Sequence, residues 1–71
     1  MTTTPLSLTV NGDPRTIPGP ATVADLLTHL SLDPRAVVVE VNRTVLRRPH
    51  LEETSLHEGD TVEVVHFVGG G

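Results

Sequence analysis

Cysteine, lysine, tryptophan and tyrosine are all missing from these 71 residues, and phenylalanine occurs once, as Phe67. Without cysteine there are no disulfides, thiolate metal sites, iron–sulfur clusters or cysteine nucleophiles. Any sulfur handled by this chain would have to ride on something other than a side-chain thiol. One aromatic ring leaves the core to aliphatic residues. Positive charge is scarce as well: five arginines stand against nine acidic residues, for a net charge of −4. A nucleic-acid binder needs a basic face to neutralise phosphates, so this balance argues against nucleic acid as a partner. The N-terminus, MTTTPLSLTV, has neither a basic start nor a continuous apolar stretch. Neither a signal peptide nor a membrane anchor is expected, and the expected location is cytoplasmic.

What is present is aliphatic and patterned. Twenty-one Val, Leu and Ile residues are enough to cover one sheet face with one helix. A chain this short buries roughly 60% of the surface it would expose unfolded, so a single domain over residues 1–71 with one core is expected. Leu6, Leu8 and Val10 alternate with Ser7, Thr9 and Asn11, the period of a half-buried strand. The NGDP that follows, Asn11 to Pro14, opens with the Asn-Gly pair that tight hairpin turns favour. A short second strand, Arg15 to Ile17, is expected to pair back and stop at the PGP of Pro18 to Pro20.

Thr22 and Asp25 have capping-box spacing, with Asp where Glu is commoner. Val23, Leu26, Leu27 and Leu30 then form one stripe of a helix of two to three turns. Asp33-Pro34 ends it at the latest, because proline disfavours helical geometry in the residue before it. Ala36 to Val41 is β-branched and reads as a third strand. Asn42 to Thr44 reads as a turn in which Arg43 fits a positive φ less well than glycine would. Val45 and Leu46 make a short fourth strand. RRPHLEETSL is irregular, with a single helical turn near Leu51, and after a turn at His57 to Asp60 the last strand runs from Thr61 to Val68. This order predicts an α+β fold of β-grasp (ubiquitin-like) type: a mixed sheet of four to five strands with one helix across one face. The first and last strands should run parallel at its centre.

Within the last strand, Val62, Val64, His66 and Val68 share one face, and Glu63, Val65 and Phe67 share the other. Glu63 marks the second face as the solvated one, since an unpaired buried carboxylate is costly. Val65 and Phe67 then either form an apolar docking patch on open sheet, or a bulge turns Phe67 inward or loop residues cover it. Three glycines follow. Gly69, Gly70 and Gly71 carry no side chains and span at most roughly 10 Å, so they make a thread thin enough for a narrow slot in another protein. The reactive group it would deliver is the terminal carboxylate of Gly71, ionised at neutral pH. By composition alone a frayed, flexible glycine tail is the favoured reading.

Other chemistry is thinly supported. His29, His50, His57 and His66 lack the spacing of metal ligands, and His66 is expected to pack or hydrogen-bond at the strand end. Arg47 and Arg48 read as solvated loop charges, with Arg48 also a candidate for docking an enzyme. Glu52-Glu53 and Glu58-Asp60 read as solvated loops. No nucleophile–base order or phosphate-cradling loop is evident, and GGG lacks the following helix a P-loop needs. An enzyme is not expected, nor is a bound cofactor.

Taken together, LTVNGD at Leu8 to Asp13, TVADLL at Thr22 to Leu27, VEVN at Val39 to Asn42, Arg48, and LHEGDTVEVVHFVGGG at Leu56 to Gly71 resemble the bacterial sulfur carrier proteins of thiamin biosynthesis, the ThiS family. The resemblance covers nearly the whole chain. It departs at Arg43, where glycine is frequent, at Arg47, where proline is common, at Leu51, where an aromatic is often seen, and in the extra Gly69. It implies that an E1-like adenylyltransferase spends ATP to adenylate the Gly71 carboxylate. A sulfur-transfer enzyme of cysteine desulfurase or rhodanese type then supplies persulfide sulfur, giving a thiocarboxylate that thiazole synthase consumes. Gly69 and Gly70 would thread the slot, and Val65, Phe67 and Arg48 would dock the partner. The small subunit of molybdopterin synthase and a ubiquitin-like protein modifier are the alternatives that share the fold and the glycine end. A β-grasp binding module with no use for a free C-terminus is a third.

Overall fold

The computed structural model describes residues 4–67. Strands β1 (Thr4–Val10) and β2 (Asp13–Gly19) form an antiparallel hairpin. Its two-residue turn puts Asn11 at φ 50° and Gly12 at φ 83°, the double left-handed geometry that matches strand twist. Asp13 and Pro14 already belong to β2, and the strand runs on through Pro18 to Gly19, beyond the expected Arg15 to Ile17. The reason is position: in the strand order β2-β1-β5-β3-β4, β2 is an edge, and there a proline's missing N–H can face away from the sheet. Gly19 is needed for a different reason. A Cβ there would lie 2.5 Å from the Thr4 carbonyl oxygen and 2.9 Å from Leu6 Cγ.

Helix α1 (Val23–His29) starts as the sequence predicts. Thr22 Oγ1 accepts from the Asp25 N–H at 3.1 Å, and Asp25 Oδ2 accepts from the Thr22 N–H at 2.9 Å. The helix ends at His29, four residues before Asp33, through a Schellman closure with Ser31 at φ 58°. The Leu32 N–H returns to the Leu27 carbonyl and the Ser31 N–H to that of Thr28. A 3-10 turn (Pro34–Ala36) leads into β3 (Val37–Val41), and β4 (Thr44–Leu46) folds back around Asn42 and Arg43, both at positive φ. A second 3-10 turn (Arg48–His50) stands where one helical turn was expected.

The segment after it does more than connect. The carbonyls of Thr54 and Leu51 accept from Val23 and Ala24, satisfying first-turn N–H groups that a helix cannot pair within itself. Glu58 Oε1 accepts from the Ser7 N–H at 2.8 Å, and Asp60 accepts from the His57 N–H and from Asn42 Nδ2. The acidic loop at Glu58–Asp60, read as merely solvated, is therefore tied to backbone.

β5 (Thr61–His66) lies between β1 and β3, parallel to the first at Thr9↔Thr61 and Val10↔Val62, antiparallel to the second from Val37↔His66 to Val41↔Val62. It ends at His66, with Phe67 outside the strand; Val68, the expected last residue, lies outside the described residues. Among the described residues five strands and one helix thus build the expected β-grasp, with the core between the helix and one sheet face. Val23, Leu26 and Leu27 of α1 pack with Leu8, Val10, Ile17, Val37, Val39, Val62 and Val64, and Leu51 and Leu56 close the end.

Candidate functional site at the root of the C-terminal segment

β5 carries the chain from the middle of the sheet to the glycines, so its alternation decides what surrounds their root. Val62 and Val64 are buried at 0% and 7% exposure, whereas Val65 and Phe67 are exposed at 59% and 49%. No bulge turns Phe67 inward. The β3 pairing runs in register to Val37↔His66, and the Phe67 N–H then donates to the Ala36 carbonyl at 3.2 Å. His66, expected to pack or hydrogen-bond at the strand end, is exposed, and among the described residues its side chain makes no hydrogen bond.

Val65 sits directly across from Val38, which is 42% exposed, and Val45 on β4 adds a further exposed valine at 59%. Val38 and Val45 were not singled out from the sequence. The uninterrupted Val37–Val39 run hides its own parity. The register Glu40↔Glu63 reveals it: both acids belong on the outer face, so Val38, two residues before Glu40, lies there too.

Phe67 borders a cleft with Pro34, Arg35, Val37, Arg47, Arg48 and Pro49. Arg48 and Phe67 are therefore neighbours at one end of the sheet, and Val65 lies one strand step back on the outer face. Arg35 is held in place by Asp33. Oδ1 accepts from the Arg35 N–H at 2.8 Å and from Nε at 3.2 Å, and Oδ2 accepts from Nη2 at 3.0 Å. These hydrogen bonds from the guanidinium hold the Asp33 carboxyl below its ordinary range, with Arg48 adding a weaker pull in the same direction. Among the described residues no ion pair engages Arg47 or Arg48. Gly69, Gly70 and Gly71, singled out as thread and reactive tip, lie outside the described residues.

Asn11 was read as a polar position of the first strand's alternation and as a turn former. Its side-chain amide also closes the gap where β1 has turned away from β5: Nδ2 donates to the Val64 carbonyl at 3.0 Å and Oδ1 accepts from the Val64 N–H at 2.7 Å. In effect one amide stands in for a strand residue beside the stretch of β5 that leads to Phe67.

A helix across one face of a five-stranded mixed sheet, with the last strand running out from the centre, defines a ubiquitin-like β-grasp domain. The chain belongs to the ThiS family, whose sequence profile matches residues 8–71. It is 40% identical over 93% of its length to a thiamine biosynthesis protein (ThiS) from Geobacter metallireducens. That crystal structure superposes with a TM-score of 0.80, all of its chain being covered. It is also 40% identical over 50 residues to the sulfur carrier protein ThiS of Bacillus subtilis, covering 70% of this chain and 76% of that one. A thiazole synthase from Paramagnetospirillum magneticum is 35% identical over 66 residues. That match takes in 93% of this chain, which spans about a fifth of the length of the thiazole synthases it resembles.

Proposed function

We propose that this chain is a sulfur carrier of thiamin biosynthesis and acts as a cosubstrate, not as a catalyst. The Gly71 carboxylate attacks the α-phosphorus of ATP on an E1-like adenylyltransferase, releasing pyrophosphate and leaving an acyl-adenylate. The outer sulfur of a persulfide on a cysteine desulfurase or rhodanese-type enzyme then displaces AMP to give an acyl disulfide. A second thiol of the partner enzymes cleaves its S–S bond, forming a disulfide there and releasing the thiocarboxylate whose sulfur thiazole synthase builds into the thiazole ring. Adenylation is needed because a carboxylate oxygen is a poor leaving group. A chain without cysteine has no internal thiol to attack its own activated end. The nucleotide belongs to the partner's site, and the setting is the cytoplasm.

The observation that carries this reading is the family match, which extends through the three glycines to residue 71. Relatives named thiazole synthase that contain a matching stretch favour that acceptor over the molybdopterin alternative. In this reading Val65, Phe67 and Arg48 contact the partner while Gly69 and Gly70 pass into its slot. Incubation with the activating enzyme, ATP and a sulfur donor should change the intact mass by one oxygen-to-sulfur exchange. Conjugates of higher mass without that exchange would replace the carrier with a modifier. No ATP-dependent change would remove both.

A further inference from the structure

The charge of this protein is unevenly placed. Three of its five arginines, Arg35, Arg47 and Arg48, line the cleft beside Phe67, and among the described residues no acidic side chain lines it with them. Asp33 offsets one of the three by pairing with Arg35. The remaining eight acids and two arginines lie elsewhere, and Glu40 and Glu63 face each other farther back along the outer sheet face. From β5's start to its end, the outer surface thus passes from acidic, through the Val38–Val65 pair, to basic.

The rim of the cleft is stiff. Arg35 and Arg48 each sit in a 3-10 turn with proline in its first positions, and Asp33 fixes the Arg35 guanidinium by three hydrogen bonds. Arg47 and Arg48 engage no ion pair among the described residues, which leaves their guanidinium groups available to carboxylates.

We propose that this arginine cleft docks a carboxylate-bearing surface that rims the slot of the activating enzyme, so that the carrier approaches with its glycines foremost. This rests on the carrier reading above. Four residues separate Phe67 from the end of the chain and reach at most about 14 Å. With the tip at ATP, the cleft is therefore held within that distance of the nucleotide, at the mouth of the slot, where it meets protein. The acidic remainder of the carrier repels the same rim, which penalises every other approach.

The experiment compares adenylation by a purified ThiS-activating adenylyltransferase across ionic strength. The carriers are wild type, Arg48→Glu, Arg47→Glu/Arg48→Glu, and Arg43→Glu, whose arginine is at the β3–β4 turn. Arg43→Glu and Arg48→Glu change net charge equally. At low salt Arg48→Glu should lower kcat/KM by about ten-fold, through KM, and the double variant by more. Arg43→Glu should stay within about two-fold, and added salt should shrink the differences. Circular dichroism checks that all four are folded, as expected for exposed side chains.

Equal losses for Arg43→Glu and Arg48→Glu, or a loss that salt does not touch, would overturn the docking proposal while wild-type adenylation upheld the carrier. Wild type that is never adenylated would overturn both. Titrating the isolated carrier with Mg-ATP supplies the remaining arm: shifts of the Arg35, Arg47 and Arg48 NMR signals would assign the cleft to nucleotide and end the proposal.

Discussion

The two faces of β5 are made from nearly the same residues and do opposite work. On the inner face Val62 and Val64 are sealed under the helix, at 0% and 7% exposure. On the outer face Val65 is 59% exposed beside Val38, and Phe67 is 49% exposed beside three arginines. Hydrophobicity alone does not separate these positions, because valine occupies both sides. Parity does, and Glu63 sets it. A protein with few aromatics has left its single ring outside the core, where it contributes little to folding and is available to a partner.

The most severe way to break the comparison leaves the domain untouched. Adding one residue after Gly71, or converting its carboxylate to an amide, should abolish thiocarboxylate formation with no change in melting temperature. Intact mass after incubation with the activating enzyme and calorimetry of the same sample measure both. Sulfur transfer at the wild-type rate from a blocked tip would end the carrier reading.

Next comes one substitution on each face. Val62→Asp places an unpaired carboxylate in the core, a cost of several kcal/mol against a total stability of about 5–15 kcal/mol at best. It should be largely unfolded by circular dichroism at room temperature. Val65→Asp, three residues on, should stay within about 0.5 kcal/mol of wild type and lose affinity for the activating enzyme. If both unfold, the outer face is core and the docking patch disappears.

Much of the β-grasp is legible in the sequence because its signals are local. The Thr22–Asp25 capping box, the Asn11–Gly12 turn and the alternation of Leu6, Leu8 and Val10 each specify a few residues without reference to the rest. What stays hidden depends on placement. Pro14 and Pro18 look like strand breakers until β2 is known to be an edge. Ser31 takes a left-handed conformation that glycine would have announced, whereas the positive φ of Arg43 follows from the Asn42 to Thr44 turn. The irregular RRPHLEETSL segment caps a helix that precedes it by some thirty residues, and no local pattern reports such a partner. At the site, parity exposed Val65 and Phe67, but the gathering of Arg35 with Arg47 and Arg48 joins two loops that sequence keeps apart.

Asn11→Ala should sharpen the comparison between the two halves of β5. The first half is paired on both sides by backbone, whereas Val64 relies on the Asn11 side chain toward β1. Removing that amide leaves a partly buried N–H and C=O without their partner, a cost of about 1–3 kcal/mol. Amide exchange should speed up at Val64 far more than at Val62. Equal acceleration at both would mean the strand opens as one unit.

The smallest effect is expected at Asp33, and its sign follows from the Arg35 hydrogen bonds that hold its carboxyl below the ordinary 3.8. A carboxylate with a lowered folded value contributes stability that is complete above the unfolded value. That contribution is lost as pH falls through the folded one. Asp33→Asn keeps an acceptor for the Arg35 N–H and removes the charge. Wild type should therefore melt slightly higher than Asp33→Asn at neutral pH, and the two should converge once the pH falls below the lowered folded value. The gap should be slight and narrow further in salt, since both partners of the ion pair are exposed. A gap that persists in acid would make Asp33 a turn cap alone. Arg35 would then be free to swing, and the arginine cleft would lose the one side chain whose direction the fold sets.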